Sequence, residues 1–125
     1  MDFNPIEAGG RVLIQAYGDG GFRILGRRIE GAIVVYQDSV TELGRLRLED
    51  IAPKQFQPLL DGEPPAEILL LGCGQGPCTL GVEQRAGFAA AGISLEIMNT
   101  GAACRTFNVL QGEGRRVAAV LIAVD

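Results

Sequence analysis

No histidine occurs anywhere in this sequence. Its absence removes Ser–His–Asp and Cys–His nucleophile pairs, histidine-based proton transfer and any Cys/His zinc set. Cysteine is sparse. Cys73, Cys78 and Cys104 are odd in number and lack the spacing of a disulfide framework. The expectation is three free, reduced, metal-free thiols in a reducing compartment. Lysine is nearly missing too: Lys54 stands alone beside ten arginines, and the formal charge of −4 excludes a surface built for nucleic acid or anionic membrane. No apolar stretch approaches the roughly 18 residues of a membrane span. The longest, Val117 to Val124, is the length of a strand, so no membrane insertion is expected. Residues 1–10 carry Asp2 and Glu7 but no basic cluster or apolar run, which predicts neither a secretory signal nor a transit peptide and places the chain in the cytosol.

What is present is an ordinary globular composition, 47% apolar and 21% charged over 125 residues, which predicts a single domain, 1–125, with a core of its own. Gly18-Asp19-Gly20-Gly21 is a strong turn signal between the apolar segments Val12 to Tyr17 and Phe22 to Leu25. Gly26 breaks the chain before Arg27 to Glu30, and a β-branched run follows Gly31 until Gln37-Asp38-Ser39. The first half therefore reads as a meander of short antiparallel strands. Asp50 to Leu60 is a helix candidate with Pro53 in its first turn and Phe56, Leu59 and Leu60 on one side.

The pattern then changes. Ile68 to Leu71 is a short apolar strand running into Gly72-Cys-Gly-Gln-Gly-Pro. Val82, Ala86, Ala89, Ala90 and Ile93 recur at helical spacing and Gly92 closes that helix. Ser94 to Met98 predicts the next strand, and Asn99-Thr100 caps a second helix with Ala103, Phe107 and Leu110 in one stripe. Arg116 to Val124 is a strand apolar on both faces. The expected fold is α/β and three-layered, with a mixed central sheet, a β-α-β-α-β carboxyl-terminal half and an antiparallel amino-terminal meander.

Two loops, Gly72–Pro77 and Asn99–Gly101, each follow a strand and open a helix, which puts both at the carboxyl edge of a parallel sheet. Helix N-termini there favour carboxylate or phosphate, and Gly72, Gly74 and Gly76 let backbone approach a ligand closely. A dinucleotide fingerprint fails, because its third glycine would fall on Pro77 and Glu96 lies mid-strand; a tight strand-to-helix turn is the plainer reading, and no cofactor is expected. Arg105 and Asn108 share a helix face with Gly101. They either coordinate an anion or partner carboxylate, or are a solvated arginine and an asparagine tied to a neighbouring loop. Cys104 sits near a helix start, where a thiolate is favoured, against the default of a buried inert side chain. Glu83, Glu96 and Glu113 have no spacing that nominates a carboxylate pair. The candidate site is thus Gly72, Cys73, Gly74, Gly76, Asn99, Thr100, Gly101, Arg105 and Asn108, with no catalytic residue and no metal ligand among them.

The segment Met98-Asn-Thr-Gly-Ala-Ala-Cys-Arg-Thr-Phe-Asn-Val-Leu resembles the hallmark Thr-x-x-Ala-x-x-x-(aromatic)-Asn-x-Leu of a small-domain family, through Thr100, Ala103, Phe107, Asn108 and Leu110. Glu113-Gly-Arg matches the turn that follows it, Ile68-Leu-Leu-Leu-Gly-Cys-Gly resembles the family's strand into Gly-Thr-Gly with Cys73 in the threonine's place, and Gly18, Phe22, Gly26 and Gly31-Ala-Ile-Val-Val resemble its meander. This is the complex I assembly factor three-like family, which has many uncharacterised prokaryotic members. The resemblance implies a three-layer fold, no established catalysis, and a protein-binding accessory role in the assembly of respiratory complex I-like machinery through a protein partner. The alternative from a different class is a small-molecule or anion-binding protein, an enzyme among the options, that uses the cleft at the carboxyl edge of the sheet.

Overall fold

The computed structural model describes residues 6–7 and 11–125, with side chains from Val12 onward. Most of residues 1–10, and with them the reading of that segment as neither signal nor transit peptide, lie outside the described residues.

The amino-terminal half is a run of short strands. β1 (Ile6–Glu7) pairs antiparallel with β2 (Arg11–Val12). β3 (Ala16–Gly18), β4 (Gly21–Ile24) and β5 (Arg27–Glu30) form an antiparallel sheet in chain order. Its two turns are two-residue hairpins in which both central residues have positive φ, Asp19 and Gly20 in one, Leu25 and Gly26 in the other. That geometry matches the right-handed strand twist. Leu25, at φ 57°, is a branched residue where asparagine is the natural occupant. The chain leaves this sheet at Gly31, whose φ of 83° and close approach to the Gly44 carbonyl leave no room for a side chain.

Beyond Gly31 the chain enters the central sheet through β6 (Ala32–Tyr36) and β7 (Ser39–Gly44). Residues 50–60 were expected as one helix, and the segment they belong to, 48–60, is broken. It forms instead two 3-10 turns, Leu48–Asp50 and Pro53–Gln55, and a single α turn, α1 (Gln57–Leu60). Pro53 and Pro58 supply no N–H to an i to i−4 ladder, which breaks the run, while Phe56 and Leu59 are buried as expected. Then follow β8 (Ile68–Gly72), α2 (Val82–Ala90), β9 (Glu96–Met98), α3 (Thr100–Gly112) and β10 (Val117–Leu121).

The five strands lie in the order β7-β6-β10-β8-β9. β10 is parallel to β8 and antiparallel to β6, and β8 is parallel to β9. The sheet is therefore mixed, with the meander supplying its antiparallel side. α2 and the 48–60 segment cover one face, where Ile51, Phe56 and Phe88 pack on Leu69, Leu71, Ala118 and Val120. α3 and the three-stranded sheet cover the other, where Phe22, Ile24, Ile29 and Phe107 pack on Ile33, Val35, Leu70 and Ala119. The result is a three-layer mixed α/β domain.

The expected stripe on α2 is corrected: Val82, Ala86, Ala89 and Ala90 are exposed, and the helix is held by Phe88 and Gln84. Gln84 Nε2 donates to the carbonyls of Leu48 and Ile51 at 2.8 and 2.9 Å. Alanines repeat at helical spacing on either face, so they say little about phase; one phenylalanine buries far more area. Gly92 closes α2 as expected, its N–H donating to the Ala89 carbonyl, while Ile93, the one stripe residue that is buried, donates to the Phe88 carbonyl.

Two outcomes follow. Phe107, fully buried, should lose about 3–5 kcal/mol on substitution by alanine, read from denaturant unfolding at constant m-value. Leu25→Asn should stabilise the chain by about 1 kcal/mol, because asparagine accepts the left-handed conformation that leucine resists; an unchanged or lowered melting temperature would contradict the turn geometry.

Candidate functional site

The carboxyl ends of β8 and β9 are neighbours. The chain leaves β8 for α2 on one face and leaves β9 for α3 on the opposite face, passing back over β8 to reach β10. The winding direction and the covered face reverse together, so both crossovers have the same hand, and the β8/β9 pair is the switch point of the sheet.

That edge is stitched shut by hydrogen bonds. Cys73 N–H donates to the Met98 carbonyl at 2.9 Å, and Thr100 N–H donates to the Gly74 carbonyl at 2.8 Å. Thr100 Oγ1 accepts from Gly74 N–H at 3.1 Å and donates to the Ile122 carbonyl at 2.7 Å. Asn99 caps α3 by accepting from Ala102 N–H at 2.8 Å. Two of the first-turn donors of α3 are therefore satisfied inside the fold. Gly72 is required by packing: a Cβ there would lie 2.9 Å from Leu121 Cδ2 and 3.2 Å from Ala103 Cβ. Gly74 has φ 122°, and Gly76 sits at the exposed tip of the loop.

Gly101, Arg105 and Asn108 face the segment Val12–Tyr17. A Cβ on Gly101 would lie 2.5 Å from Tyr17 Oη, so the tyrosine ring rests directly on the helix backbone. Arg105 Nη1 donates to Tyr17 Oη at 3.2 Å. Asn108 Oδ1 accepts from Ile14 N–H and its Nδ2 donates to the Ile14 carbonyl, both at 2.8 Å. One turn on, the buried Gln111 donates through Nε2 to the carbonyls of Val12 and Gln37, at 2.9 and 2.8 Å. An open cavity of about 390 Å³ lies beside this seam, bounded by Ile14, Tyr17, Cys104, Arg105 and Asn108 among others. The structure thus divides the nine candidate residues: Gly72, Cys73, Gly74, Gly76, Asn99 and Thr100 gather at the sheet edge, and Gly101, Arg105 and Asn108 gather along the flank of α3.

The expectation of three free thiols is corrected at two of them. Cys73 and Cys78 form a disulfide, with Cα atoms 6.4 Å apart. The loop reverses through Gly74, Gly76 and Pro77 and returns Cys78 to the end of β8, a closure that sequence spacing alone did not expose. Cys104 is free and buried, and burial pushes its thiol up to about 12 despite the lowering influence of Arg105. Desolvation outweighs the helix start, and Cys104 stays a neutral thiol. At the far end of α3, Arg115 and Arg116 flank Glu67 at 3.1 and 3.6 Å and, with the backbone N–H of Arg116, hold its carboxyl below the usual range. Among the described residues no group of His, Cys, Asp or Glu is arranged to hold a metal ion, and no helix is long and apolar enough to cross a membrane.

Tyr17 and Gln111 escaped sequence reasoning. Tyr17 lies 88 residues from Arg105, and Gln111 reaches 99 residues back to Val12. A glutamine near the end of a predicted helix gives one usable signal, a polar side chain on the apolar stripe, but no partner.

The fold and this seam define a class, the three-layer mixed α/β domain whose switch point is closed by its own loops. The family model described as a protein of unknown function, DUF498/DUF598, matches residues 14–122, and the chain belongs to that family. It is 33% identical over 116 residues to the human NADH dehydrogenase [ubiquinone] 1 alpha subcomplex assembly factor 3, covering 93% of this chain and 63% of that protein. It is 32% identical over 120 residues to an uncharacterised protein of Rhodobacter capsulatus, covering 94% and 91%. The chain spans about three fifths of the length of the mammalian relatives. Among solved structures, a crystal structure described as an outer membrane protein from Bartonella henselae matches with TM-score 0.79 at 36% identity, covering 93% of this chain and 98% of that one. A solution structure of a Bordetella pertussis protein described as a Mth938-like domain matches with TM-score 0.75 at 29% identity, covering 98% and 92%.

The seam makes a prediction that separates its two exposed-face residues. Asn108→Ala strands the N–H and carbonyl of Ile14 and should cost about 1–3 kcal/mol. Arg105→Ala removes one long, exposed hydrogen bond and should change stability by less than about 0.5 kcal/mol. Paired denaturant titrations measure both.

Proposed function

We propose that this chain is a non-catalytic, protein-binding accessory domain that assists the assembly of NADH dehydrogenase-type respiratory machinery. The observation that carries the proposal is the 33% identity to the human assembly factor across 93% of the chain. The geometry supports binding over catalysis. The switch-point edge spends its donors on itself, and the acid–base residues that a catalyst needs are not gathered there.

The working surface we propose starts at the exposed tip of the Gly72–Gly76 loop and at half-buried Asn99, with buried Thr100 holding that edge in place, and continues over Gly101 and Arg105 along the exposed flank of α3. Asn108 holds the Val12–Tyr17 segment against it. On this flank Tyr17 is 42% and Val109 60% exposed, with Arg105 between them. Tyrosine and arginine beside an uncovered aliphatic side chain are the residue types enriched at the centres of protein interfaces. The cytosol is the compartment of this proposal, where a disulfide such as Cys73–Cys78 is exposed to the cell's reducing thiols. A second reading has one observation in its favour: Arg105 and Tyr17 border the open cavity and present a guanidinium and a hydroxyl to a small anion.

The test is capture of the tagged full chain from its native cell. NADH dehydrogenase subunits should be retained with it, and Arg105→Glu and Val109→Asp should each reduce that retention at least roughly tenfold with the melting temperature unchanged. Retention of no such subunit overturns the assembly role. A small anion that co-purifies and is lost with Arg105→Glu would establish the second reading instead.

A further inference from the structure

The Cys73–Cys78 disulfide lies wholly within one connection, the loop from β8 to α2, and links no two elements that the cores leave apart. Its two sulfurs are unequally placed. Cys73 is 7% exposed at the end of a central strand, whereas Cys78 is half-buried in a stretch where Gln75, Gly76, Pro77 and Thr79 are all exposed. The ring it closes contains Gly74, the residue clamped to the amino end of α3 through both its N–H and its carbonyl. Cys104, the remaining thiol, is buried in the core formed with the three-stranded sheet. A bond that is short-range, approachable at one sulfur and anchored to a helix start through a residue inside its ring is placed for exchange more than for stapling.

We propose that Cys73–Cys78 is a redox-active disulfide whose substrate is a low-molecular-weight thiol of the glutathione class, and that its state governs the order of the Gly74–Leu80 loop over the start of α3. This inference is independent of the assembly reading. A thiolate attacks Cys78 Sγ, the Cys73–Cys78 bond breaks, and Cys73 leaves as a thiolate that takes a proton from solvent. A second thiol attacks the mixed disulfide at its own sulfur. Cys78 leaves as a thiolate and is protonated, and the two thiols depart joined as a disulfide. Two electrons pass to the protein, and the reverse sequence, with oxidised glutathione as oxidant, restores the bond. In the dithiol form the loop keeps its hydrogen bonds to Met98 and Thr100 at one end and the buried Leu80, whose carbonyl accepts from Arg85 Nη1 at 3.2 Å, at the other, while the stretch between them loses its covalent tie.

The experiment equilibrates the folded full chain in buffers of stepped reduced-to-oxidised glutathione ratio, quenches in acid, alkylates after unfolding and weighs the intact protein. A two-electron transition is expected between a form with one alkylated thiol, Cys104, and a form with three. Far-ultraviolet circular dichroism should stay constant across it. Amide hydrogens of Gly74–Leu80 and Thr100–Ala102 should exchange roughly tenfold faster in the dithiol form, with those of β10 unchanged. Cys73→Ser, treated with oxidised glutathione, should gain one glutathione at Cys78. Cys78→Ser should exchange like the dithiol form at every ratio, which keeps the test intact if Cys73→Ser misfolds. Three alkylated thiols after oxidised glutathione, one alkylated thiol at every ratio until denaturant is added, or equal amide exchange in both forms would each overturn the proposal.

Discussion

All five residues of β10 are withdrawn from solvent on both faces, and its peptide groups are shared between a parallel ladder with β8 and an antiparallel ladder with β6. Among the described residues no other strand joins the two halves of the chain in this way. A strand in that position has no tolerance for polar side chains or for proline, and Val117 to Leu121 contains neither. The layers on either side are arranged around it. α3 lies over β8 and β10 on one face, while Phe56 and Phe88, in edge contact at a ring separation of 5.7 Å, fill the other.

The amino-terminal segment Val12–Tyr17 is attached by a different means. Between α3 and this segment, side-chain amides do the work that backbone ladders do elsewhere. Asn108 pairs with both polar groups of Ile14, and Gln111 donates to two carbonyls. An amide side chain can mimic a neighbouring strand because it carries one donor group and one acceptor in the same plane. That is why an asparagine occupies a helix interior that propensity alone would give to another residue, and why a glutamine is fully buried on the same helix. The same seam leaves Tyr17 and Arg105 on the outside, where the proposed surface lies.

The carboxyl-terminal half was readable because its periods are unmixed: apolar runs of strand length, separated by helices with glycine and asparagine at their ends. The cap at Asn99, the buried Phe107 and the closure at Gly92 all follow from local chemistry that needs no knowledge of the rest of the molecule. Reading failed where a signal was degenerate. Alanines mark no face of α2, and two prolines broke a helix whose apolar spacing was otherwise acceptable. The candidate site was legible as a set of loops and side chains, but its division into a sealed edge and an open helix flank was not.

The sequence by itself determined the fold class, the order of elements in the second half, the exclusion of histidine chemistry and the family. These depend on composition, periodicity and motifs, all of which act within a few residues along the chain. Only the tertiary structure decided that Thr100 and Gly74 close the switch point, that Asn108 holds Ile14, and that Tyr17 meets Gly101. It also decided that Cys78 returns to Cys73, because a loop's path is set by what its ends must satisfy and not by the spacing of its cysteines. The physical reason is common to all four: each is a contact between groups whose separation in space is fixed by strand pairing and helix placement elsewhere, which no local pattern encodes.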